Sequence, residues 1–233
     1  MQPENRQIVI LHIPKTAGTS LRKLVQRNYK KGECFFVYEK KSRFTTIEEF
    51  TKLEQEERKK LKIVMGHLPC NPLCYSGMEP LYVTIMRKPV ERVISYYNHI
   101  MTRKDGWVSN NVSLMKYLDE SGDQQLSNHQ TRIISGLGGI PITDDHLRTA
   151  LHNLETSFLF TGLSEEYSES VRRLAALLNW TDVTIYRENQ SRVKSGINYY
   201  SKYEIQKILE LNQYDMELYN FVRSRFDASA GVN

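Results

Sequence analysis

Short aliphatic runs alternate along the chain with segments whose apolar positions recur at helical spacing. The first run, Ile8-Val9-Ile10-Leu11 within Arg6 to His12, is aliphatic at every position. That pattern predicts a strand buried on both faces of a parallel sheet. A polar stretch with Pro14, Gly18, Thr19 and Ser20 follows, and Leu21, Leu24 and Val25 then predict a helix reaching about Tyr29. Thr19 or Ser20 is its expected cap, because a hydroxyl accepts from an amide left unpaired in the first turn. Glu33 to Val37 predicts a strand, Ile47 to Lys60 one charged helix, and Lys62 to Gly66 and Leu81 to Met86 two inner strands. Leu68 to Glu79, rich in proline and cysteine, predicts a loop.

From Pro89 the pattern turns helical, with Val90, Val93, Ile94 and Tyr97 as a stripe and Pro89 suited to the first turn. Leu114 to Leu118, Asn128 to Ser135 and Asp144 to Leu154 predict shorter helices, the last capped by Thr143 or Asp144. Ser157 to Thr161 predicts a strand, Val171, Leu174, Leu177 and Leu178 a helix, and Val183 to Tyr186 a weak strand. Asn189 to Asn198, polar and basic, predicts a mobile loop before closing helices marked by Ile205, Ile208, Leu209, Tyr214, Leu218 and Phe221. Strands alternating with helices predict an α/β fold: a P-loop-like parallel sheet with helices on both faces, forming a single domain over residues 1–233.

Composition narrows this little. The 233 residues carry 32 basic and 27 acidic side chains, a formal charge of +5 that favours anionic ligands without choosing among them. No apolar run approaches the roughly 20 residues of a membrane span. Met1 to Asn5 lacks the basic and apolar segments of a secretory signal, so a complete chain of this sequence is expected in the cytoplasm. Cys34, Cys70 and Cys74 do not have the usual metal or redox spacing, and no metal is expected.

The chemistry concentrates in His12-Ile13-Pro14-Lys15-Thr16-Ala17-Gly18-Thr19-Ser20. A loop entering a helix turns unpaired amides toward an anion, Gly18 permits close approach, Lys15 adds a charge, and Thr16, Thr19 and Ser20 add hydroxyls. The ATP-binding pattern differs, since it places glycine and lysine directly before the serine or threonine. Neither Lys62 to Gly66 nor Leu81 to Met86 ends in an aspartate for magnesium. A second basic cluster, Arg87-Lys88-Pro89-Val90-Glu91-Arg92-Val93-Ile94-Ser95-Tyr96-Tyr97, leaves the strand Leu81 to Met86; its Arg87 and Ser95 suit a second phosphate.

These two segments resemble the sulfotransferases that use 3'-phosphoadenosine 5'-phosphosulfate (PAPS), most closely the heparan and uronyl 2-O-sulfotransferase branch and its small bacterial relatives. Gly66-His67 is similar to the branch's histidine base, Asn128-His129-Gln130-Thr131-Arg132-Ile133-Ile134-Ser135-Gly136 to its Asn-x-Gln helix, and Asn212 to Phe226 to its closing helix. Gly18 stands where many relatives have serine. The resemblance implies that Pro14, Lys15, Thr16, Ala17, Gly18, Thr19 and Ser20 hold the 5'-phosphosulfate while Arg87 and Ser95 hold the 3'-phosphate. Lys15 then stabilises the leaving oxygen, and His67 is the base for the acceptor hydroxyl.

On this reading Arg192 and Lys194 close over the nucleotide or steer the acceptor, and His12, Asn128 and Arg132 line the acceptor side; Asn128, Gln130 and Arg132 line that pocket or fasten the helix end to the nucleotide loops, and Asn128 and Arg132 share a helical face. Tyr96, Tyr97 and Trp107 offer aromatic surface for a sugar or for core packing. The acceptor is a hydroxyl-bearing small molecule or glycan, and no nucleic acid is expected. Two other classes compete: a P-loop kinase-like phosphotransferase, and a noncatalytic anion- or nucleic-acid-binding module.

Overall fold

The computed structural model describes residues 6–38, 47–70, 80–102, 112–185 and 197–229. Five strands form one parallel sheet: β1 (Ile8–Leu11), β2 (Cys34–Val37), β3 (Ile63–Gly66), β4 (Leu81–Met86) and β5 (Phe158–Leu163), in the order β2-β3-β1-β4-β5. The predominantly apolar runs are the central strands. β1, β3 and β4 are buried at every position because helices cover the sheet on both sides.

The two faces follow from alternation along β1. Ile8 and Ile10 pack with Leu21, Leu24 and Val25 of α1 (Gly18–Asn28) and Val171 and Leu174 of α8 (Tyr167–Leu178). Val9 and Leu11 point the other way, toward Phe50 of α2 (Ile47–Thr51). On that second side Met86 and Leu163 meet α6 (His129–Ser135), α7 (Asp144–Thr156) and α10 (Gln213–Ala228). Each large aliphatic side chain withdrawn from water contributes about 1.5–3 kcal/mol, which makes the sheet a rigid base for what its edge carries. A satellite cluster joins α4 (Pro89–Met101), α5 (Leu114–Glu120) and α9 (Lys202–Leu211). Among the described residues no helix is long and apolar enough to cross a membrane.

Strand order fixes where a ligand belongs. On leaving β1 the chain goes toward β2, and on leaving β4 it goes toward β5, so the segments after these adjacent strands diverge. Their carboxyl ends therefore border the crevice that open α/β sheets use for ligands.

Several elements differ from expectation. Ile47 to Lys60 is two helices, α2 and α3 (Gln55–Lys60). The chain breaks at Leu53, whose N–H donates to Phe50 O, and restarts where Glu54 N–H donates to Glu57 Oε2. Neither Thr19 nor Ser20 caps α1: the helix begins at Gly18 after Ala17, which is left-handed. Residues 183–185 form no strand, because side chains of α1 hold the turn before them. Asn28 Oδ1 accepts from the N–H groups of Thr181 and Asp182, and Arg27 Nε donates to Asp182 Oδ2. Tyr186 and residues 189–196 lie outside the described residues.

Candidate active site

The segment after β1 turns sharply. Lys15 and Ala17 both have left-handed backbones, with φ of 74° and 69°. Such conformations cost non-glycine residues about 1–3 kcal/mol each, and they persist where the surroundings impose them. Left-handed residues on either side of Thr16 curl the chain into a tight turn, of the kind that forms anion-binding nests, directly before the first turn of α1. Thr16 is buried and its hydroxyl donates to Ile13 O at 2.8 Å, so that hydroxyl holds the turn rather than facing a ligand. Pro14 and Ser20 are half-buried, and Thr19 is exposed.

Gly18 has a tighter constraint than close approach of an anion. A Cβ there would lie 1.8 Å from His12 Cδ2 and 1.9 Å from His12 Nε2. The imidazole of His12 occupies the space that a side chain at position 18 needs.

The end of β4 meets the same turn. Arg87 Nη1 donates to Lys15 O at 3.1 Å. Arg87 is itself fixed through its backbone, its N–H donating to Gln130 Oε1 at 3.0 Å and its carbonyl accepting from Gln130 Nε2 at 2.9 Å. Burial lowers the pKa of Lys15, and the nearby Arg87 charge lowers it further. Arg87 is also lowered by burial, with Glu165 and Glu91 opposing. Two cations partly withdrawn from water and facing each other suit a polyanion, which relieves both penalties. Ser95 lies two turns into α4, on the half-exposed stripe that includes Glu91.

Beside this turn, the residues that follow three neighbouring strands form a row of rings. His12 N–H donates to Gly66 O at 2.8 Å, and His67 N–H donates to Val37 O at 3.1 Å, which continues the sheet ladder one step. Tyr38, His67 and His12 thus follow β2, β3 and β1 in spatial order. His67 lies 4.9 Å from the His12 ring and 5.0 Å from the Tyr38 ring, centroid to centroid. His12 Nδ1 and the Tyr38 hydroxyl share a 3.1 Å hydrogen bond. Burial, with His67, Arg22 and Lys15 as lesser causes, holds the His12 pKa down to about 3, so its ring is neutral at ordinary pH.

A sequence model of the sulfotransferase family matches residues 1–222. The chain belongs to the sulfotransferase family. This sulfotransferase is an enzyme that transfers a sulfuryl group. No curated protein sequence matches it. Among solved structures it is similar to mouse sulfotransferase SULT7A1 complexed with PAP, with a TM-score of 0.53 and 14% identity over 91% of this chain and 84% of that one. At that identity the likeness shows the fold.

Other candidate residues of the sulfotransferase sit deeper. Asn128 is buried and left-handed; its Oδ1 accepts from Asp215 N–H, and its own N–H donates to Asn212 Oδ1. Its side chain is thus engaged in the joint between α6 and α10. Asp215, fully buried, accepts from the N–H groups of Gln130 and Thr131 and from the Thr131 hydroxyl, satisfying the open start of α6. Arg132 is half-exposed and donates from Nη1 to Gly139 O. Arg92 is fully buried and donates from Nη2 to Gln125 O, so it braces a neighbouring element.

Tyr96 donates to Asp123 and Tyr97 to Val112 O within the satellite core, so these rings pack the interior. Arg192, Lys194, Trp107 and Cys74 lie outside the described residues. Cys70 is a buried free thiol, and no cluster of potential metal ligands occurs among the described residues. The sequence assigned no role to Tyr38, although it stands one residue after a strand as His12 and His67 do. Of the two roles the sequence left open for Gln130, the structure shows the fastening of α6 to the segment after β4.

Proposed function

We propose that the protein moves the sulfuryl group of PAPS to a hydroxyl of a carbohydrate or other small acceptor, with Lys15 and His67 as the catalytic side chains. The observation that carries this reading is the Arg87 to Lys15 contact at the crevice between β1 and β4. It brings two cations from separate strands to one place, as a nucleotide with phosphates at both ends of its ribose requires. The PAP bound to the mouse relative supports the same donor. PAPS supplies an activated sulfuryl group whose departure leaves charge on a phosphate oxygen.

The residues of the chain divide the remaining work. The turn from Pro14 to Ser20 holds the 5'-phosphate end, with N–H groups of the residues after Pro14, which itself has none to give, as donors and Lys15 Nζ opposing the charge that grows on the leaving oxygen. Arg87 and Ser95 hold the 3'-phosphate, and Arg192 and Lys194 belong to the same binding set. His67, exposed beside His12 and Tyr38, takes the proton of the acceptor hydroxyl as its oxygen bonds to sulfur and the bond from sulfur to the phosphate oxygen breaks. His12 and Arg132 border the acceptor side, and Asn128 supports it from beneath. The 2-O-sulfotransferase-like branch is favoured by His12 to Ser20 and Gly66-His67 together, and the P-loop-like description by the nest after β1.

Transfer of labelled sulfate from PAPS to an acceptor panel tests the reading. Lys15→Ala is expected to lower kcat by about 10²–10³-fold. His67→Ala is expected to lower it by about 10²–10⁴-fold. Full turnover in both variants, or a rise in Tm with ATP and magnesium but not with PAP, would overturn it.

A further inference from the structure

We propose that Tyr38 is a positioning residue for sulfuryl transfer, acting through His12 to hold the His67 ring in place beside the start of the phosphate-binding helix. The inference rests on the reading of His67 as the base and of the turn around Lys15 as the PAPS site.

The sheet order creates the arrangement. β3 lies between β2 and β1, so the residue after β3 emerges between those after its neighbours. His67 is that middle residue. Gly66 before it allows the strands to sit this close, since a Cβ there would lie 1.8 Å from Val37 O. Tyr38 on one flank and His12 on the other are joined by the 3.1 Å hydrogen bond, and each ring lies about 5 Å from that of His67. The exposed base therefore rests on a linked pair whose phenol side is buried.

The far edge of the His12 ring closes the device. Cδ2 and Nε2 lie over Gly18, the first residue of α1, and fill the space of a Cβ. One hydrogen bond from Tyr38 thus fixes a ring that touches the base on one side and the anion-binding turn on the other. A neutral imidazole suits this role, because a second positive ring beside His67 would oppose proton transfer to it. The groups facing His12 are His67, Arg22 and Lys15, with Tyr38 at Nδ1 and the Arg22 guanidinium over the Tyr38 ring at 5.4 Å. Each charged neighbour is cationic, which keeps His12 neutral while His67 cycles.

Tyr38→Phe tests this, since it keeps the ring and removes the hydroxyl. In the full chain it is expected to lower kcat about 10-fold, leave the KM for PAPS and the Tm rise with PAP within about twofold of wild type, and displace the acid limb of the kcat/KM profile by about half a pH unit or more. Wild-type kcat with an unmoved profile overturns the proposal. So does an equal loss of PAP binding and turnover, which makes Tyr38 a prop of the nucleotide turn only. Should the variant fail to fold, nitrogen NMR of His12 in the wild-type protein decides: an imidazole that stays neutral to about pH 5 supports the proposal, and one titrating near 6.5 overturns it. Failure of the underlying reading is distinct, because wild type would then show no response to PAP, or His67→Ala would retain full turnover.

Discussion

Gly18 shows how a single residue's reason can change once its neighbours are known. In sequence it reads as a position kept small for a ligand; in the fold, the His12 ring already fills its side-chain space. Gly18→Ala is therefore expected to push His12 aside, costing about 1–3 kcal/mol in a urea titration and lowering turnover more than PAP affinity. An alanine variant with wild-type kcat and midpoint would show that the ring yields freely. The strand-end placement of Lys15, Arg87 and His67 was legible because the apolar runs before them are written in the chain. Tyr38 was not, because pairing with His12 depends on which strands become neighbours, and that order is absent from local pattern.

At the scale of elements, uniform burial gave the inner strands away. Leu81 to Met86 is a strand over that span, since all six residues are buried, the hydroxyl of Thr84 being satisfied by Leu11 O. Ile47 to Lys60 misled because its apolar residues are too sparse to sustain one stripe, and the break after Thr51 is set by local hydrogen bonds. The tie between α6 and the segment after β4 was legible only as one of two roles for the Asn-x-Gln helix, because Gln130 and Arg87 are 43 positions apart. Gln130→Leu, which keeps the volume but leaves the Arg87 N–H and carbonyl unpaired, is expected to cost about 1–3 kcal/mol and to weaken PAP binding. Calorimetry of PAP binding to the folded variant measures the second effect, and unchanged affinity would detach Gln130 from the site.

Across the whole molecule, two histidines, His12 half-buried and His129 buried, tie stability to pH. The His12 pKa is depressed to about 3, and burial, aided by Arg92, Arg132 and His67, holds His129 well below its usual value. Neither nitrogen of His129 has a hydrogen-bond partner among the described residues. In the unfolded chain both rings titrate near 6.5, so their contribution is complete above that pH. It is lost as pH falls from 6.5 toward the folded values, by about 1.4 kcal/mol per pH unit for each ring. Asp215, whose pKa burial raises, titrates in the opposite sense. Comparing wild type with His129→Leu isolates the ring: the variant's urea midpoint should gain on wild type between pH 7 and 5.5, and parallel pH curves would refute the assignment.

The paired bonds from Gln130 to Arg87 carry one more consequence. Beyond the last residue of β4, a side-chain amide grips the main chain at both its donor and its acceptor, as a neighbouring strand's peptide would. The arginine is thereby coupled to α6 as a rigid linkage, without a flexible joint between them. A displacement of α6 would therefore be passed to Arg87 and, through its bond to the Lys15 carbonyl, to the turn after β1.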